Sequence, residues 1–100
     1  MAASKGFLGA AWSRRWAKAY AALSVDQKKG TDKVVIALIK QEPTPGMRVK
    51  PIEPDKYFYE ARINDGDRLV FLVEDGKVWF VEVIAHDDIG RYGRKIEGLF

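Results

Sequence analysis

Asp75-Gly76 constrains this chain more than any other pair of residues, because it lies between two runs rich in Val, Leu, Phe and Trp: Arg68–Glu74 before it and Lys77–Ala85 after it. A two-residue link between such runs predicts a type I′ β-hairpin. Both central residues of that turn need φ > 0, which Asp and Gly accept at low cost. The chain must therefore contain an antiparallel pair of strands. The second run has apolar residues on both faces, which predicts a strand flanked by others, the central one of its sheet.

Upstream, Tyr57–Ile63 alternates, with Tyr57, Tyr59, Ala61 and Ile63 against Phe58, Glu60 and Arg62. It reads as a third strand, ended by the turn Asn64-Asp-Gly66. The first half has a different period. Trp12, Trp16, Tyr20 and Leu23 fall at i, i+4, i+8 and i+11, which predicts one face of a helix starting at Trp12. Ser24 and Gln27 have the spacing of a capping box and open a second helix, expected over Val25 to Gln41 with a core stripe of Val34, Val35, Leu38 and Ile39. Gly30 marks a candidate break or bend in it. Two helices so closely linked form an antiparallel hairpin. Residues 7–11 admit a short strand before it.

Pro43, Pro45 and Gly46 stop the second helix. Met47–Ile52 reads as extended, with Arg48 and Lys50 on one side and Met47 and Val49 on the other. The tail, His86–Phe100, is polar and then ends in Ile96, Leu99 and Phe100, compatible with a short closing helix. The expected fold class is α+β: an N-terminal helical hairpin packed on a small antiparallel sheet of three to four strands. One domain over residues 1–100 fits this length.

Composition narrows the function. The chain has no cysteine, so disulfides, thiolate metal sites and cysteine nucleophiles are excluded. Met1 to Ala11 has one lysine and only a short apolar stretch, and no apolar run approaches a membrane span. A cytoplasmic protein with no membrane partner is expected. Net charge is +3, divided as +7 over residues 1–50 and −4 over residues 51–100. A basic half suits a polyanionic partner, and it equally suits two complementary solvated faces.

Two stretches, "PTPGMRVKP" (43–51) and "YFYEARINDGDRLVFLVEDGKVWFVEVIAHDDIGRY" (57–92), resemble the RelE/ParE superfamily of toxins from toxin–antitoxin modules. Arg62, Asn64, Arg68, His86, Asp87 and Tyr92 carry the resemblance in order, and it extends over nearly the whole chain. It implies a RelE-like fold and a neutralising antitoxin helix as partner. One branch of the superfamily enters the ribosome and cleaves mRNA without a metal or cofactor. Its chemistry is attack of the RNA's own 2′-OH on the adjacent phosphate. Another branch poisons DNA gyrase without catalysis, and a degenerate member would only bind its antitoxin.

On the nuclease reading, Arg68 holds the scissile phosphate, since a guanidinium fork binds phosphate oxygens bidentately. The alternative is an ion pair with Asp67 or Glu60. His86 beside Asp87 is a candidate acid or base, and otherwise it anchors the tail. Arg91 supports the transition state, and Tyr92 stacks on a base or moves a proton. Arg48, Lys50 and Arg62 grip the RNA backbone, or are simply solvated. The strand Tyr57–Arg62 lacks the lysines of the best-studied ribosome-dependent members. His86, Glu60 or Lys50 must replace that base, or the protein does not cleave RNA. Trp12, Trp16, Trp79, Phe71 and Phe80 have the periodicity of core residues rather than of a stacking platform. Asp65, Asp67, Asp87 and Asp88 match no metal motif.

Overall fold

A computed structural model describes residues 6–100. Residues 1–5, part of the segment read above for a leader, lie outside the described residues. The chain runs β1 (Gly9–Trp12), α1 (Trp16–Ala21), α2 (Val25–Ile39), a 3-10 turn (Pro45–Met47), β2 (Lys50–Pro51), β3 (Tyr59–Arg62), β4 (Asp67–Glu74), β5 (Lys77–Ala85) and a 3-10 segment (His86–Tyr92). The strands form one sheet in the order β1-β5-β4-β3-β2. The fold is α+β, as expected, but the sheet has five strands and is mixed. β1 runs parallel to β5, with Gly9 opposite Lys77 and Trp12 opposite Phe80. β5 is an interior strand, and β4 is the middle one.

The local turn chemistry holds. Asp75 and Gly76 have φ of 53° and 71°, the left-handed pair that a type I′ turn requires. Asn64 closes the other turn by accepting from the Gly66 and Asp67 amides at 2.9 and 2.8 Å. Ser24 and Gln27 form both halves of a capping box at the start of α2. The Tyr20 hydroxyl donates to Asp32 at 2.8 Å, tying α1 back onto α2.

Several expectations need correcting. Trp12 belongs to β1 rather than to a helix, and α1 begins only at Trp16. The chain bends at Ser13, whose amide donates to the Phe80 carbonyl at 2.8 Å and whose hydroxyl donates to the Val81 carbonyl. The aromatic spacing brings Trp12 and Trp16 together all the same, at 5.2 Å, over Phe80. Trp12 is nevertheless 47% exposed, so it is not a core residue. Gly30 causes no break. A Cβ there would meet Ile63 Cγ2 at 3.0 Å, so glycine lets α2 approach the sheet. Met47 is buried in a 3-10 turn and Arg48 has a left-handed φ of 46°, so Met47–Ile52 is not one extended segment. The tail opens with the 3-10 segment His86–Tyr92, and its apolar end, residues 93–100, forms no helix.

The sheet is buried on both faces. Trp16, Val34 and Leu38 of the helices pack on Ala61, Leu69, Phe71, Val78 and Phe80. On the opposite face Phe58, Val70, Leu72, Val81 and Ile84 pack under Tyr92 and Leu99 of the tail. A β-bulge permits this arrangement. Val70 pairs with Glu82 while Phe71 pairs with Phe80, leaving Val81 as the extra residue. Val81 and Glu82 can then both serve the face beneath the tail. Among the described residues no helix is long and apolar enough to cross a membrane.

Candidate functional site

The face beneath the tail collects most of the polar residues singled out above. Strand pairing sets Lys50 opposite Glu60, Arg62 opposite Arg68, and Arg68 opposite Ile84. The His86 amide donates to the Gly66 carbonyl at 2.8 Å, so the start of the 3-10 segment sits at the same end of the sheet as Arg62 and Arg68. A cleft of about 370 Å³ opens here, lined by Lys50, Pro51, Ile52, Glu53, Glu60, Ile89 and Gly90. It joins the edge strand β2 to the 3-10 segment.

Arg68 is committed to the protein. Its side chain is 11% exposed, and its Nε lies 3.6 Å from Glu60 Oε1, whose side chain is 9% exposed. Its Nη1 donates to the backbone carbonyls of Asn64 (2.7 Å), Asp67 (3.0 Å) and Asp65 (3.3 Å). Of the alternatives held open for Arg68, the ion pair with Glu60 is the one formed. The Asp67 carboxylate instead accepts from Gln27 and Asn64. A guanidinium with this many acceptors orients Glu60 and staples the turn before β4.

Tyr92 requires a correction. It is 1% exposed and meets Phe58 edge-on at 5.1 Å, so its ring has no free face to stack on a base. Its hydroxyl donates to Glu82 and accepts from Arg15 Nη1 at 3.0 Å. Burial pushes the phenol up to about 12; the bond to Glu82 adds to the shift and Arg15 opposes it. The phenol therefore keeps its proton at neutral pH. The Tyr92 bond in turn raises the pKa of Arg15. Sequence reasoning missed Glu82 and Arg15, which lie 10 and 77 residues from Tyr92. No local pattern marks a contact across such distances.

Of the remaining candidates His86, Arg91 and Arg48 are exposed and Arg62 is half-buried. His86 Nδ1 lies 3.3 Å from Asp87 Oδ1, and Arg91 lies 3.4 Å from Asp88. Arg62 pairs with Asp65. Arg48 does not share a strand side with Lys50 and stands apart after the Pro45–Met47 turn. Among the described residues no group of three or more His, Asp or Glu is placed to hold a metal ion.

A second cavity of about 440 Å³ lies on the helix side of the sheet. Leu8, Leu38, Pro43, Val49, Tyr59, Phe71 and Val73 line it, and Val73 and Tyr59 are exposed. This is an apolar groove beside the helical hairpin.

No described protein family and no curated protein matches the sequence. Solved structures do match the fold. A copper-bound mutant toxin from Helicobacter pylori aligns with a TM-score of 0.69 at 20% identity, over 81% of this chain and 97% of that one. A chain of the DinJ–YafQ toxin–antitoxin complex of E. coli aligns at 0.66 and 15% identity, over 80% and 93%. A chain of the YoeB–YefM complex of Staphylococcus aureus aligns at 0.66 and 17%, over 79% and 97%.

Proposed function

We propose that this chain, whose fold is that of the RelE-like toxins, is the toxin of a toxin–antitoxin pair and cleaves ribosome-bound mRNA by metal-independent 2′-OH attack. The observation that carries this reading is the cleft where Lys50 and Glu60 face each other across β2 and β3, closed by Ile89 and Gly90. Lys50, exposed at the edge, meets the phosphate. Glu60, held by Arg68, replaces the lysine that the strand lacks and takes the 2′-OH proton. His86 and Arg91, exposed on the 3-10 segment, protonate the leaving oxygen and neutralise the phosphate. Arg48 extends the backbone contacts. Arg68 acts through Glu60 and is a positioning residue.

The apolar groove at Leu8, Val49, Tyr59 and Val73 suits the amphipathic helix of an antitoxin. Two of the structural neighbours come from toxin–antitoxin complexes, which supports a partner of this kind. A gyrase-poisoning or antitoxin-binding protein without catalysis is the second reading. The missing strand lysine and the buried Tyr92 favour it.

The test is a defined translation reaction with mRNA 3′ ends mapped with and without ribosomes. New ends at A-site codons, lost in folded Glu60→Gln, are expected. Translation proceeding unimpaired with no new ends would sink the nuclease reading. A supercoiling assay with gyrase would then test the second one.

A further inference from the structure

We infer that the groove between α2 and the Pro45–Met47 turn is a separate phosphate-binding site, which takes the backbone of a single RNA strand. The groove holds about 210 Å³, roughly seven waters at liquid density. Lys33, Arg62, Thr44 and Gly46 line it together with apolar Val34 and Ile63. No carboxylate lines it. The cleft at Lys50 by contrast includes Glu53 and Glu60, and the hollow at Arg15 includes Glu82. A concavity lined by two cations and no anion selects a negatively charged ligand.

Its polar groups are available. Among the described residues Lys33 forms no ion pair, and the neighbouring Asp32 carboxylate accepts from the Tyr20 hydroxyl of α1 instead. The Thr44 side chain has no protein partner among them either. Arg62 pairs with Asp65, whose side chain is 99% exposed. A half-buried guanidinium whose partner is so fully solvated can exchange that carboxylate for a phosphate at little cost. Gly46 leaves the rim open, since a Cβ there would meet only Thr44 Oγ1, at 3.9 Å.

The placement suits a strand rather than an isolated ion. Lys29 shares the exposed stripe of α2 with Lys33, at i−4, and Lys40, at i+7, caps the helix end. On the other side, Arg62 follows Glu60 by two residues on β3, about 7 Å along the strand. A strand gripped at Lys33 and Arg62 therefore leads toward the cleft at Lys50 and Glu60. The choice of RNA rests on the proposed function; the preference for phosphate does not.

The experiment measures binding of a short 2′-O-methyl RNA, which cannot be cut, by fluorescence anisotropy over a salt series. Lys33→Gln is expected to weaken binding several-fold and to reduce the slope of log K against log salt by about 0.7, one single-strand phosphate contact. Gly46→Glu retains every cation and should weaken binding as much by placing a carboxylate in the groove. Lys29→Gln, outside the groove, should change less. Parent-like affinity and slope in both Lys33→Gln and Gly46→Glu would overturn the site. An equal loss in Lys29→Gln would also overturn it, in favour of a diffuse basic surface. Because this RNA is uncleavable, failure of the nuclease reading appears only in the mapped 3′ ends and leaves the binding result to stand or fall alone.

Discussion

Arg68→Ala should destabilise the protein severely, which decides how any loss of activity in that variant is interpreted. The guanidinium is 11% exposed, pairs with Glu60 at 3.6 Å, and supplies one nitrogen to three carbonyls of the Asn64–Asp67 turn. Its removal leaves the Glu60 carboxylate buried and uncompensated. Breaking a buried pair in this way costs about 3–5 kcal/mol. The turn carbonyls add little, because water can reach an exposed turn. For a domain of this size the melting temperature should fall by roughly 12–40 °C, a large part of a total stability of about 5–15 kcal/mol. Urea denaturation followed by tryptophan fluorescence gives the change directly, as a shifted midpoint at constant m. The double substitution Glu60→Gln, Arg68→Met removes both charges and should recover most of the loss. Arg68→Lys should fall between parent and alanine, since an ammonium lacks the planar fork. The reasoning is refuted if Arg68→Ala lies within about 0.5 kcal/mol of the parent, or if the double variant is no more stable than Arg68→Ala. Any activity lost in Arg68→Ala thus says nothing about a phosphate contact until the variant is shown to be folded.

Tyr92→Phe retains the contact with Phe58 and deletes the bonds to Glu82 and Arg15, so a loss of about 1–2 kcal/mol is expected in the same assay. Because the folded phenol titrates near 12 rather than 10, its contribution is fully present below pH 10 and is lost as pH rises through 12. The parent should therefore lose on the order of 2 kcal/mol more than Tyr92→Phe across that window, and parallel pH profiles would contradict the assignment. Gly30→Ala should fail to deliver the roughly 1 kcal/mol that alanine brings to a helix interior, because the new Cβ meets Ile63 Cγ2 at 3.0 Å. The gain should appear only when Gly30→Ala is compared within an Ile63→Ala background, as thermal unfolding of the four-protein cycle will show.

The candidate site was partly legible. Residue type and order single out Lys50, Arg62, Arg68 and His86; strand pairing sets Lys50 beside Glu60 and Arg62 beside Arg68, and a backbone bond to Gly66 brings the start of the 3-10 segment to the same end of the sheet. The sequence offers Glu60 only as a substitute base and as a possible partner of Arg68. Its burial against that arginine gives it a larger part. The burial of Tyr92 is hidden in the sequence, because Phe58, Glu82 and Arg15, which enclose it, lie far from it along the chain.

By itself the sequence determined the elements whose signals are local. The Asp75-Gly76 hairpin, the Asn64 turn, the Ser24 capping box and the extents of β4 and β5 follow from φ preferences and hydrogen bonds spanning a few residues. Tertiary structure decided what depends on distant partners. It drew Trp12 out of its helical period into a strand parallel to β5, inserted the bulge at Val81, and laid the tail over the second face of the sheet. It also turned Arg68 inward to Glu60. Each of these outcomes balances burial against pairing over the whole molecule, and such a balance leaves no short-range pattern in the chain.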